Sequence, residues 1–412
     1  MSMRKTGKAV FLYFGMRRHV AFRAYVGLDD LMAIEAWLER DAGDFEENLL
    51  SGSESARSRV REMLETAAGS APIESLPLYV IFSGSRMAHY EASSSIYFDK
   101  TRTVEPEDVA QVIRQTRSVA TVPVSETVVC AYPQEYLVND FPGVSRPAGL
   151  EGKRVGVTLQ LYTLPENFSQ ALSELWERLG IEPDLAIPGA LSSAFGVTSG
   201  EERSDGVLCA DLGGRDLELN YFSNGILRHA SKQTWNGGDG LTDWIARRWD
   251  ISRKEASRLK EEFGIADPEG IFAQEQIPVV DENGQVRFRI SLPELTGEVR
   301  RAARDSVDEV SRQIAPIIKK YGRPGRMVIT GGPARMQGLI ELFQSVLEIP
   351  CRAGLVKSVQ GPWELVGSPV YSSAVGALKT AGVLQAFGET CESENAFKKS
   401  FETLRDWFRE YF

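Results

Sequence analysis

The chain has 412 residues, and at roughly 100–200 residues per domain that length calls for two to four domains rather than one. Hydrophobic residues make up 42% and charged residues 25%, which argues against a mainly disordered, collagenous or integral membrane chain. Lys and Arg number 47 against 57 Asp and Glu, and the resulting charge of −10 does not suit a protein that neutralises phosphates along a nucleic acid.

The four cysteines, Cys130, Cys209, Cys351 and Cys391, stand far apart without metal-ligand spacing and read as reduced thiols of a cytoplasmic protein. Arg17, Arg18 and His19 interrupt the N-terminal apolar run and no small-residue cleavage site follows, so it is not a secretory signal. No window reaches about 18 uninterrupted apolar residues, so any membrane contact is peripheral.

In chain order, KAVFLYF and HVAFRAYV within 8–26 predict a β-hairpin around Gly15, Met16, Arg17 and Arg18. Val60, Met63 and Leu64 at helical spacing predict a helix over 55–69 that stops at Gly69. A strand at 78–84, a helix opened by Glu105, Pro106 and Glu107, and a strand at 126–132 follow. Beyond a loop at 141–153, the strand RVGVTLQLYT at 154–163 is expected to resume the main sheet, before a helix at 169–180. The second half restarts the theme with GVLCADLGG at 206–214, an apolar strand ending in a glycine turn, and a hairpin at 217–231 turning at Asn224-Gly225. Helical stretches at 240–264 and 296–321 flank another hairpin, turning at Asn283-Gly284, and a strand at 326–332 leads to a helix at 336–347. The alternation is of α/β type, and two strand-turn-strand openings predict a duplicated, two-lobed architecture.

Enzyme motifs are absent. Gly152-Lys153-Arg154 lacks the hydroxyl residue that follows a phosphate-loop lysine, and Pro147 stands where that loop needs glycine. His19, His89 and His229 are isolated and read as structural, without a metal or a histidine-based catalytic group. The strand-terminal glycines say more. Gly213 and Gly214, then Gly331 and Gly332, and Gly15 between the first two strands allow backbone amides to approach an anion, although each alone also serves a simple turn.

In order and flanking sequence these segments resemble the FtsA family of bacterial division proteins within the actin-like ATPase superfamily. GVLCADLGGRDLELNYFSNGIL at 206–227 is similar to that family's second phosphate hairpin, WNGGDGLTDWIARRWDISRKEASRLKEEFG at 235–264 to the segment after it, and MVITGGPARMQGLIELF at 327–343 to its adenosine motif. SPVYSSAVGALKTAG at 368–382 is similar to the closing helix, and VIFSGSRMAHYEASSSIYFDK with its continuation to LQLYT is similar to the family's inserted domain. The resemblance implies an α/β, actin-like two-lobed fold with an inserted subdomain and a C-terminal amphipathic helix. Subdomain 1A then takes 1–69, 153–205 and 366–387, inserted subdomain 1C takes 70–152, 2A takes 206–234 and 322–365, and 2B takes 235–321.

ATP with magnesium is the implied cofactor, with Gly15, Asp211, Gly213, Gly214, Arg215, Lys260, Gly331 and Gly332 as the residues to hold it and no catalytic residue assigned. The site departs from the family. Tyr13, Phe14, Gly15 and Met16 stand where it places Asp, a hydrophobic residue, Gly and Thr or Ser. Arg215, Asp216 and Leu217 replace a glycine and two threonines, which predicts very slow or absent hydrolysis. The implied partners are further copies of the chain, the C-terminal peptide of the tubulin-like division GTPase, and lipid, with no nucleic acid.

At the C-terminus a polar tether at 388–396 precedes FKKSFETLRDWFREYF, in which Phe397, Phe401, Leu404, Phe408 and Phe412 recur at helical spacing beside Trp407. Phe and Trp mixed with Lys and Arg suit a headgroup boundary, which predicts a helix at 397–412 on the inner face of the cell membrane. The whole reads as a division scaffold that tethers filaments to the membrane. The alternatives are a PilM-like scaffold of a pilus or secretion assembly and an ATP-hydrolysing enzyme of the superfamily.

Overall fold

Val10, Phe11, Leu12 and Phe14 are all buried, and because successive strand residues point to opposite faces, both faces of their strand are covered. The computed structural model describes residues 7–26, 32–84, 86–266 and 275–390. These divide into two units, one of residues up to 196 with 358–362 and 373–390, the other of 197–357 with 363–372.

In the first unit, β1 (Gly7–Phe14), β2 (Arg18–Val26) and β3 (Met32–Asp41) form an antiparallel meander. β4 (Leu78–Phe82) runs parallel to β1, and Val359–Gln360 runs parallel to β3 at the far edge. β3 was not foreseen, because Met, Ala, Glu, Leu and Arg favour a helix. Pairing with β2 overrides that preference, and Glu35 and Glu39 bind Arg23 and Arg18 of β2 and Lys8 of β1 beyond it.

A second sheet in this unit joins β5 (Ala88–Thr103), β6 (Glu126–Val138), β7 (Phe141–Val144) and β8 (Glu151–Pro165) in the order β5, β8, β6, β7. Val109, Val112 and Ile113 of helix Pro106–Val119 pack against Ile96, Val155, Val157 and Leu159. The residues 154–163 therefore do not resume the main sheet. They lie in β8, paired with β5 on one side and β6 on the other. LYVIF at 78–82 belongs instead to the main sheet, completed beyond it by β9 (Leu185–Pro188). The strands of the separate sheet thus span 88–165 rather than 70–152. An apolar run marks a central strand but does not say which sheet it is central to.

The second unit holds β10 (Val207–Leu212), β11 (Asp216–Ser223) and β12 (Ile226–Thr234), a meander turning at Asn224-Gly225 as expected, and the hairpin β13 (Gln276–Val280) and β14 (Val286–Ser291). β15 (Arg326–Thr330) lies parallel to β10, and β16 (Cys351–Ala353) parallel to β15. Leu208, Ala210, Leu212, Leu217 and Leu219 face Val307, Val310, Ile314 and Ile317 of the 30-residue helix Leu292–Tyr321, which places Asp211 and Glu218 on the opposite face. The stretch expected as helical over 240–264 is two helices, Gly238–Trp249 and Arg253–Phe263, parted where Asp250 turns left-handed and Ser252 caps the next turn.

Helix Ser372–Thr390 runs through the first residues of the expected tether. The membrane helix predicted over 397–412 lies outside the described residues.

Glu202 ties the short helix Gly200–Asp205 to the sheet edge. Its carboxylate accepts from Arg352 Nη2 at 2.6 Å, Arg352 Nε at 2.8 Å, Arg326 Nη1 at 3.3 Å and the Ser199 N–H at 2.9 Å. Burial alone raises its pKa, but the hydrogen bonds from Arg352, Ser199 and Arg326 and the Arg352 charge outweigh burial and lower it to about 2. A depressed folded-state pKa gives stability that is present above the ordinary value of 4.5 and lost as pH falls toward about 2. Glu202→Gln is expected to cost about 1.5–3 kcal/mol at neutral pH by chemical denaturation, with the gap to the parent narrowing as pH falls below 4.5. A gap that does not change with pH contradicts the assignment.

Candidate nucleotide site

The turn between β10 and β11 is drawn tight by the Gly213 N–H, which donates to the Asp216 carbonyl at 2.8 Å. The start of helix Gly238–Trp249 sits on this turn, with the Asp239 N–H donating to the Gly214 carbonyl at 2.9 Å. A Cβ on Gly213 would lie 2.8 Å from the Asp216 carbonyl oxygen, and one on Gly214 would lie 3.0 Å from the Asp239 carboxylate. Gly213 is therefore required by the approach of the backbone to itself, while a side chain at Gly214 would have to push the Asp239 carboxylate aside.

Gly331 follows β15 at φ +88°, and a Cβ there would lie 2.3 Å from the Leu212 carbonyl oxygen and 2.6 Å from Asp211 Oδ1. It locks the ends of β10 and β15 together. Gly332 has open space around its Cα and begins a single 3-10 turn to Arg335. Lys260 Nζ donates to the Gly238 carbonyl at 2.9 Å and to Thr242 Oγ1 at 2.8 Å, tying its own helix to the first turn of helix Gly238–Trp249. Asp211, Gly213, Gly214, Arg215, Lys260 and Gly331 thus form one connected cluster. Gly15 belongs to the first unit, in the β1–β2 turn, where its N–H donates to the Arg18 carbonyl at 3.1 Å.

The charges of the cluster are mainly negative. Across the sheet Asp211 pairs with Glu218, and Glu218 with Lys232. Glu218 is only 5% exposed, and its buried Oε1 has no hydrogen-bond partner among the described residues. Burial, then the Asp211 charge, push its carboxyl up to about 8 against the opposing pull of Lys232, with Asp216 adding to the rise. Burial also raises Asp216, Lys232 opposes, and Asp239 adds to the rise. The Arg215 side chain is 64% exposed, its Nε 3.7 Å from Asp239 Oδ2 and its Nη2 4.0 Å from Asp243 Oδ2. Arg253 takes Asp243 at 2.8 Å. Glu218, Lys232 and Asp239 were not foreseen as parts of this site. Cross-strand register and the packing of a helix over the turn bring them in.

Two family models match the chain, "Cell division protein FtsA" over 208–376 and "SHS2 domain inserted in FTSA" over 84–163. The cell division protein FtsA of Pseudomonas aeruginosa is 24% identical over 424 aligned positions that cover all of both chains. That of Borreliella burgdorferi is 26% identical, covering 94% of this chain and 95% of its own. Among solved structures, the PilM-PilN type IV pilus biogenesis complex superposes with a TM-score of 0.63 at 13% identity, over 90% of this chain and 98% of that one. MreB 5 of Spiroplasma citri bound to AMPPNP gives 0.50 at 14% identity, over 92% and 98%. The structural likenesses show the actin-like fold, and with the family models and relatives spanning most of the sequence, the chain belongs to the FtsA family of cell division proteins.

Proposed function

We propose that this member of a cell-division family is an actin-like scaffold that assembles with copies of itself on the inner face of the cytoplasmic membrane, with hydrolysis of ATP very slow or absent. The observation that carries the last part is the β10–β11 turn. Threonine hydroxyls expected to hold phosphate are replaced there, and Asp216 and Asp239 lie at the two glycines, with Asp211 beside Gly331. A phosphate entering this turn meets like charge in a partly buried setting, where screening is weak. ATP with magnesium therefore fits these residues poorly. Arg215 is the nearest cation on the turn, and it already lies beside two carboxylates.

Self-association is assigned to the inserted body, and docking of the C-terminal peptide of the tubulin-like division GTPase is the further partner, both on the strength of family membership. Membrane attachment is assigned to 397–412 from its sequence. At about 1.5–3 kcal/mol per fully buried large apolar side chain, the partly buried Phe397, Phe401, Leu404, Phe408 and Phe412 supply several kcal/mol, offset by the cost of ordering the segment. One helix binds reversibly, and an assembly of many binds firmly. An enzymatic reading needs the carboxylate and hydroxyls that Tyr13, Met16 and Leu217 displace.

Phosphate release from ATP and magnesium is expected to run far below the roughly 1–10³ s⁻¹ usual for enzymes, and Asp211→Ala is expected to leave the residual rate unchanged. Ordinary turnover that Asp211→Ala abolishes overturns the reading. Removing 397–412, or the change Phe408→Glu, is expected to release the chain from liposomes while its circular dichroism stays as before. Unchanged co-sedimentation returns that helix to a place on the protein's own core.

Burial of Glu218, with the Asp211 charge beside it, also makes stability depend on pH. The folded state keeps the Glu218 proton to about 8 against an ordinary value of 4.5, so this group's contribution is whole below 4.5 and is lost as pH rises through about 8. Glu218→Gln is expected to flatten that decline in thermal melts and to raise the melting temperature on the alkaline side. Parallel pH profiles for parent and variant contradict it.

A further inference from the structure

A strand at the edge of a sheet leaves a row of backbone N–H and C=O groups unpaired, and folded chains protect such rows with proline, charge, brevity or a cover. Among the described residues the edge strands follow that rule except at β5. β9 and β16 have four and three residues, β3 is partly covered by Val359–Gln360, and Pro142 in β7, Lys232 in β12, Pro278 in β13 and Arg289 in β14 guard the others. β5 is 16 residues long, pairs with β8 on one side only, and has neither charge nor proline from Ala92 to Phe98. Its two faces are also unfinished. Ala92 is only half-buried where it meets the core under helix Pro106–Val119, and Tyr97, on the opposite face, is 72% exposed.

We propose that the free edge of β5 docks a second copy of this chain, the two β5 strands pairing antiparallel about a twofold axis to join their four-stranded sheets into one of eight. The strand's own sequence selects this occupant. A twofold axis between antiparallel neighbours stands perpendicular to the sheet and keeps each face with itself, so one residue must lie opposite its own copy. With Ser94 in that place, Ala92 meets Ile96 of the second copy on the helix side, apolar against apolar, and Glu91 meets the Tyr97 hydroxyl on the other side, each contact being made twice. Moving the axis to Ser95 sets Glu91 against Asp99, a like-charge pair, and moving it to Ser93 sets Ala92 against a serine. The inference rests on the reading that the inserted body carries self-association, and it assigns the strand and the register. A twofold contact closes on itself and joins chains in pairs, so growth into longer assemblies uses another surface.

Cysteine cross-linking of the full chain, in solution and on liposomes, tests the register. Directly opposite strand residues have Cβ atoms about 4.5–5.5 Å apart, close to the span of a disulfide, so Ser94→Cys is expected to link copy to copy under a mild oxidant. Phe141→Cys, exposed on the β7 edge, is expected to link no more than the parent. Ser93→Lys puts a charge on the exposed side of the β5 edge, and it is expected to weaken the dimer at least tenfold in sedimentation and to suppress the Ser94→Cys link, with circular dichroism as in the parent. Equal linking by Ser94→Cys and Phe141→Cys, or a dimer indifferent to Ser93→Lys, overturns the proposal. Assembly on liposomes without a Ser94→Cys link overturns this contact alone and leaves the edge to an extended segment of another protein. A full chain that neither dimerises in solution nor assembles on liposomes overturns the self-association reading and the contact with it.

Discussion

The second unit depends on a place where two backbones meet with no room for a side chain. The Gly331 Cα stands so near the Leu212 carbonyl and the Asp211 carboxylate that any residue with a Cβ would force β10 and β15 apart. With the strand ends locked, the Gly213-Gly214 turn is fixed, the helix from Gly238 seats on it, and Lys260 bridges to that helix. The same constraint holds Asp211 beside Glu218 on the sheet face away from the hydrophobic core. The glycines of this site thus hold the architecture in place whatever the ligand. That is why they can persist while the residues that would act on a nucleotide have changed.

Much of the fold is legible in the sequence because turn chemistry is local. Asn224-Gly225 and Asn283-Gly284 announce their hairpins, with both Asn224 and Gly225 at positive φ. What depends on distant partners is not legible. β3 is written in helix-favouring residues and exists because β2 pairs with it. β8 reads as a central strand of any sheet. Lys232 faces Glu218 only because a bulge between Tyr221 and Phe222 shifts the register by one residue; a register continued from the turn would have paired Glu218 with Ser231. The glycines were visible as close-approach positions, but whether an anion or the chain itself approaches is decided by Asp239, Leu212 and Tyr13, and the sequence does not reveal their positions.

Turn glycines of the two units are closed in by different physical means. In the second unit the surroundings are electrostatic, with the buried Asp216 and Glu218 carboxyls held up in pKa beside a glycine turn. In the first they are steric, with an aromatic ring resting on a turn glycine. Neither disturbs the packing of its sheet, since Phe11 and Phe14 remain buried in one core and Leu212 and Leu217 in the other. A scaffold can keep such a fold for assembly and lipid attachment after the demands of phosphate chemistry have lapsed.

The central claim is that scaffolding by this chain does not run on nucleotide. The direct measurement is co-sedimentation and electron microscopy of the full chain on liposomes with no nucleotide, with ADP, and with ATP and magnesium. The account predicts the same assemblies and the same bound fraction in all three. Assembly that appears only with ATP and dissolves with ADP would contradict it.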